Sequence, residues 1–190
     1  MTVLYIFDWD GTLSDSVAKI VHCMQFAAEH SGLPVRDEHT TANIIGLGLP
    51  EAISKLYPDT EESRREHLRQ VYVDHFIHCT HVSLSLFPKV LETLQILKEQ
   101  GHLLTVATGK SRRGLNRNLR DFGLDTFFHG SRCADETVSK PDPAMLSELL
   151  TEFDCQAEDA LMVGDSEYDM AMAQALNMPR IAVSYGVHSV

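Results

Sequence analysis

Residues 3–7, Val-Leu-Tyr-Ile-Phe, form a short apolar run that ends at once in Asp8-Trp9-Asp10-Gly11. Similar runs recur at 103–107 (LLTVA), 160–163 (ALMV) and Arg180–Val183. Short apolar runs of this kind, bounded by turn formers, read as buried strands. Between them apolar residues fall at helical spacing. Val90, Leu91, Leu94 and Leu97 precede Gly101, Leu115, Leu119 and Phe122 precede Gly123, and Met145, Leu146, Leu149 and Leu150 follow Pro143. Glycine stops a helix and proline opens one, so each segment carries its own punctuation. Buried strands alternating with helices predict an α/β fold with a Rossmann-like parallel sheet.

Residues 16–86 break that rhythm. Val17, Ile20, Val21, Met24 and Ala28 mark a helix, Ile44–Tyr57 and Glu61–His78 read as helical, and no strand is expected there. The organisation predicted is a core made of 1–15 and 87–190, interrupted by an all-helical domain at 16–86. A chain of 190 residues suits one such core with a small insertion.

The formal net charge of −11 argues against nucleic acid or an anionic membrane as partner, since either needs a basic footprint. No apolar run approaches the ~20 residues of a membrane span, and no signal peptide is expected. Cys23, Cys79, Cys133 and Cys155 are scattered, which fits reduced thiols and a cytoplasmic location.

Two motif matches fail. A calcium loop beginning at Asp8 needs Asp or Asn at 12 and Gly at 13, where Thr12 and Leu13 stand. A phosphate loop ending in Gly109-Lys110-Ser111 needs an earlier glycine at 104, which is Leu104. Strand geometry explains DWDG better. Alternate side chains share a face, so Asp8 and Asp10 project together and Trp9 points away. Gly11 permits a sharp turn at the carboxyl end of the strand, where parallel sheets bind ligands. A carboxylate pair there suits a hard cation, nucleophilic attack or proton transfer. Thr108 and Gly109 follow the second strand at a helix start suited to an anion. Lys140 sits between Ser139 and Pro141, ahead of another helix, and Asp165 and Asp169 follow a further strand.

In this order DWDGTLSDS, VATGKS, SKPDP and VGDSEYDM resemble the haloacid dehalogenase superfamily of phosphohydrolases, nearest its phosphoglycolate phosphatase-like branch. The resemblance covers nearly the whole chain, and 16–86 resembles that superfamily's first type of helical cap. It implies Asp8 as nucleophile and Asp10 as proton carrier. Thr108 and Lys140 would hold the phosphoryl group together with Gly11 and Gly109. Mg²⁺ would be held by Asp8, by the backbone carbonyl of Asp10 and by Asp165, with Asp169 supporting from behind. Gly46, Leu47 and Gly48 would form a cap loop that selects the substrate. The expected function is a Mg²⁺-dependent phosphatase acting on a small phosphorylated metabolite, phosphoglycolate first. Asp10, Asp165 and Asp169 favour phosphate chemistry over dehalogenation. A sugar-phosphate mutase that reuses the aspartyl phosphate is the alternative, and a non-catalytic phosphoryl-binding module is more remote. The sheet edge beyond Arg180–Val183 leaves monomer and homodimer both open.

Trp9 and Lys89 depart from the resemblance, which has a smaller apolar residue and a glycine at those places. Lys110, Arg112 and Arg113 are expected to be solvated, or else to steer an anionic substrate. His75, His78 and Cys79, at i, i+3 and i+4 with His81 nearby, could be drawn as a zinc site, but no fourth ligand stands at helical spacing, and a mixed apolar helix with Val71, Tyr72, Phe76 and Ile77 explains them as well.

Overall fold

The computed structural model describes residues 2–188, so the predicted core boundary at 190 lies outside the described residues. In chain order the elements are β1 (Leu4–Phe7), β2 (Ser14–Asp15), α1 (Val17–His30), α2 (Glu38–Ala42), α3 (Leu49–Leu56), α4 (Glu62–His78) and β3 (Ser85–Leu86). Then follow α5 (Val90–Glu99), β4 (Leu103–Thr108), α6 (Arg112–Asp121), β5 (Gly130–Cys133), α7 (Ala144–Glu152), β6 (Ala160–Gly164), α8 (Glu167–Ala175) and β7 (Arg180–Ala182).

Five strands form one parallel sheet in the order β5-β4-β1-β6-β7. β1 is central, and its side chains divide between two layers. Leu4 and Ile6 pack with Met145, Leu146, Met162 and Met172 toward α7 and α8. Phe7 packs with Leu94, Leu104, Val106 and Leu115 toward α5 and α6. This is the predicted α/β sandwich, and its parallel register brings the ends of β1, β4 and β6 together. β5 was not expected, because Gly-Ser-Arg-Cys has neither apolar continuity nor alternation; tertiary pairing with β4 makes it a strand.

Helices α1 to α4 share an apolar cluster of their own, which includes Ile20, Met24, Ile53, Leu56 and Leu68. Two expectations for this region are corrected. Ile44–Tyr57 is not one helix: Asn43–Gly48 is a turn, with Gly46 at φ +107°, and only Leu49–Leu56 is helical. A short helix, α2, precedes that turn, capped by Asp37, which accepts from the Thr40 N–H at 2.8 Å. Strands also occur at the borders of the helical segment, where β2 and β3 pair antiparallel and tie its entry to its exit.

Trp9 is fully buried near Phe122 and Phe128, so the departure at this position fills the layer beneath α6. Lys89 lies at φ +67°, so the backbone keeps a glycine-like turn although lysine occupies it. All four cysteines are free thiols, and no described helix is long and apolar enough to cross a membrane.

Candidate active site

The carboxyl ends of β1 and β6, the loop before α7 and the first turn of α8 deliver four charged groups to one buried point. Lys140 Nζ lies 2.7 Å from Asp8 Oδ1 and 2.7 Å from Asp169 Oδ1, with its side chain fully buried. Asp8, Asp165 and Asp169 each offer an oxygen within 4.8 Å of the others. Like charges this close in a water-poor site repel, and Asp165 and Asp169 are each held by specific donors. Thr12 donates to Asp165 Oδ1 at 2.9 Å and the Val187 N–H donates to Oδ2 at 2.8 Å. Asp169 Oδ2 accepts from the Ser166 N–H and hydroxyl, and the Asp169 N–H donates back to Ser166 Oγ, which completes the capping box that opens α8.

Asp8 is the exception. The Lys140 ammonium is near its Oδ1, but not at a hydrogen-bonding angle, and Oδ2 has no donor among the described residues. Burial pushes the Asp8 carboxyl well above its ordinary value; Asp169 and Asp165 add to this and Lys140 opposes it. Asp165 is pushed up to about 6, chiefly by burial and also by Asp169, against the Val187 and Thr12 hydrogen bonds. Burial works against the Lys140 ammonium, yet Asp169 and Asp8 outweigh it and hold its pKa above the usual lysine value.

A bare carboxylate oxygen beside two further carboxylates is an all-oxygen donor set, which suits a hard divalent cation. Gly11 makes room for the Asp165 member of this set. At φ +83° it leaves the space that a Cβ would take from the Asp165 carboxylate.

Asp10 stands apart from that cluster. Ser16 donates to its Oδ1 at 2.6 Å and Lys110 Nζ lies 2.9 Å from Oδ2. Asp8 and Asp10 both line the same cavity of about 310 Å³, while Trp9 does not, in keeping with the expected alternation. Thr108 is buried at the end of β4, and its hydroxyl accepts from the Lys110 N–H at 3.2 Å.

The turn at 46–48 reaches this point from the helical region. A Cβ on Gly109 would run into the carbonyls of Gly46 and Leu47, so only a glycine lets the turn sit so close. The Gly48 N–H donates to Ser139 Oγ at 2.8 Å, one residue before Lys140. Tyr168 donates to the Asn43 carbonyl at 2.7 Å and further secures the turn.

The basic residues after Thr108 divide differently from expectation. Lys110 is neither solvated nor free to steer, because it pairs with Asp10. Arg112 is tied to Glu136 at 2.7 Å and to Ser131, leaving Arg113 at the cavity. Sequence reasoning assigned no role in the site to the Thr12 or Ser16 hydroxyl, Ser16 being expected only in the hinge into the helical segment, or to Val187. Thr12 and Ser16 lie inside the DWDGTLSDS stretch, where hydroxyls so close to acids are a usable signal. A backbone N–H 22 residues beyond Asp165 has none.

The sequence model of the haloacid dehalogenase-like hydrolases matches residues 5–183. A phosphoglycolate phosphatase of Nitrosococcus oceani is 30% identical over 189 residues, 96% of this chain and 84% of that protein. A Dickeya dadantii protein named "Probable phosphatase IndB" is 32% identical over 195 residues, 100% of this chain and 84% of that protein. Among solved structures, a "Putative haloacid dehalogenase-like hydrolase" of Bacteroides fragilis superposes with a TM-score of 0.91 at 29% identity, over 100% of this chain and 91% of that one.

Proposed function

Because the chain belongs to the haloacid dehalogenase-like hydrolase family, we propose that it is a Mg²⁺-dependent phosphatase of small phosphomonoesters that works through an aspartyl phosphate. The observation that carries this reading is Lys140 between Asp8 and Asp169, with one Asp8 oxygen buried and free of donors.

Asp8 is the nucleophile. Its carboxylate oxygen bonds to phosphorus as the ester P–O bond breaks, and Asp10 gives a proton to the departing alkoxide. Asp10 then takes a proton from the water that attacks the acyl phosphate, which releases phosphate and restores Asp8. Ser16 and Lys110 hold the Asp10 carboxylate in place for both transfers. Lys140, Thr108, Gly11 and Gly109 hold the phosphoryl oxygens, so charge developing there meets groups already in position. Asp8, Asp165 and the Asp10 carbonyl would hold the metal, with Asp169 behind them. When bound, Mg²⁺ supplies positive charge against the phosphoryl oxygens.

Residues 16–86 serve as the cap, and 1–15 with 87–190 as the catalytic core. The separate helical cluster and the 46–48 turn packed over Gly109 support this division.

Phosphoglycolate as substrate is supported by the names of the relatives. The cavity favours a second reading, in which the organic part is larger and apolar. Met24, Ile45, Leu49, Tyr72 and Phe76 line it, and a two-carbon acid has no apolar surface to bury against them.

Phosphate release from 2-phosphoglycolate and from aliphatic and aromatic phosphomonoesters, with and without Mg²⁺, tests both readings. Release that is lost in EDTA and in Asp8→Asn is expected. Release surviving either overturns the mechanism, isomerisation of a sugar phosphate without release indicates a mutase, and neither activity leaves a binding module.

A further inference from the structure

A second cluster of ligand-type side chains lies between α1 and the end of α4. His22, His75 and Cys79 each offer a donor atom within 4.8 Å of the others. His22 Nε2 is 3.5 Å from His75 Nε2 and 2.9 Å from His81 Nε2, and Cys79 Sγ lies 3.8 Å from that same His81 nitrogen. His78, the sequence-expected member, turns away to Asp74 and is replaced by His22 of α1. Helix α1 thus supplies the third ligand, and His81 in the segment after α4 stands as the fourth.

Two features place these side chains ahead of any ligand. The Phe26 ring, one turn after His22, stacks on His75 with centroids 3.6 Å apart and planes 7° from parallel. Cys79 is buried, its N–H caps α4 on the His75 carbonyl at 2.8 Å, and its carbonyl accepts from Lys19 Nζ at 2.8 Å.

Each imidazole nitrogen has one in-plane lone pair or one proton, so His22 Nε2 satisfies only one of its two imidazole neighbours by hydrogen bonding. Tetrahedral zinc at ordinary bond lengths sets N···N edges of about 3.3 Å and N···S edges of about 3.6 Å. The His22–His75 and Cys79–His81 separations are close to these, and the exposed His81, whose ring centroid is 6.5 Å from that of His75, would swing away from His22 and toward His75 to complete the set.

We propose that His22, His75, Cys79 and His81 bind one Zn²⁺, which pins the end of α4 and the strand-bound return segment to α1. A set of three imidazoles and one thiolate suits zinc and disfavours Mg²⁺, so this site is chemically separate from the carboxylate cluster around Asp8.

Cobalt(II) titration of the full chain in saturating Mg²⁺ tests the proposal, because thiolate-to-cobalt charge transfer in the near ultraviolet cannot arise from carboxylates. The expected result is one equivalent of cobalt, displaced by zinc, with tetrahedral visible bands. Cys79→Ser should abolish the charge-transfer band, and His75→Ala should weaken zinc binding at least 10-fold. His81→Ala, which alters an exposed loop, covers the case in which a buried variant fails to fold; it should lower zinc affinity while the zinc-free melting temperature stays put. No thiolate band in the native chain, or the same band in Cys79→Ser, overturns the proposal. So does zinc affinity unchanged in both histidine variants.

Discussion

Replacing Lys140 by methionine tests the electrostatics of the site most directly. The side chain is fully buried and its ammonium lies 2.7 Å from both Asp8 and Asp169. Methionine keeps the volume but removes the cation that lies between Asp8 and Asp169. Breaking a buried ion pair from one side costs about 3–5 kcal/mol, because the remaining charge has neither water nor partner. At about 2–4 °C per kcal/mol for a chain of this length, the melting temperature should fall by roughly 6–20 °C. The loss should depend on pH with a definite sign. Asp8 already stands above its ordinary pKa, and without Lys140, which lowers it, it rises further. A carboxyl raised in the folded state costs stability as pH climbs from its unfolded pKa toward its folded one, so the loss should shrink from pH 7.5 to pH 5. Adding Asp169→Asn removes one stranded charge and should recover part of the loss, giving a non-additive double-mutant cycle. Denaturant melts without divalent ions at the two pH values supply the numbers. A loss below about 1 kcal/mol, or equal losses at both pH values, would refute the reasoning.

Three further outcomes follow from the same site. Mg²⁺ should raise the melting temperature more at pH 7.5 than at pH 5. Asp165, with its folded pKa near 6 against about 3.9 unfolded, loses stability to rising pH between those values and binds metal only once deprotonated; an equal rise at both pH values contradicts this. Lys110→Ala should lower kcat about 10²-fold with the fold intact, because Asp10 keeps Ser16 but loses the ammonium that positions it, and steady-state kinetics beside circular dichroism decide the point. Gly109→Ala should push the 46–48 turn off the core, seen as a raised KM and faster proteolysis near residue 46, since the new Cβ meets the Gly46 and Leu47 carbonyls.

Much of the core was legible in the chain. Buried parallel strands such as Leu4–Phe7 and Leu103–Thr108 must be apolar along their length, so they stand out between amphipathic helices. The acids of DWDG were legible for a related reason, since a two-residue repeat at a strand end has a geometry of its own. β5 was not legible, because Gly-Ser-Arg-Cys becomes a strand only by pairing with β4. The loop at 46–48 was legible from its two glycines, but its extension back through Ile44 and Ile45 was not, since those apolar side chains suit a helix until Gly46 takes a positive φ.

The sequence by itself determined the α/β class, the strand-end positions of Asp8, Asp10, Thr108 and Asp165, and the insertion of a helical segment between the first two core strands. These rest on local periodicity and on residue types whose backbone preferences act over a few positions. Only the tertiary structure decided that Lys140 bridges Asp8 and Asp169, that Lys110 pairs with Asp10, and that His22 replaces His78 beside Cys79. Each of those pairings joins separate segments of the chain, and sequence spacing says nothing about which distant groups folding brings within a few ångströms.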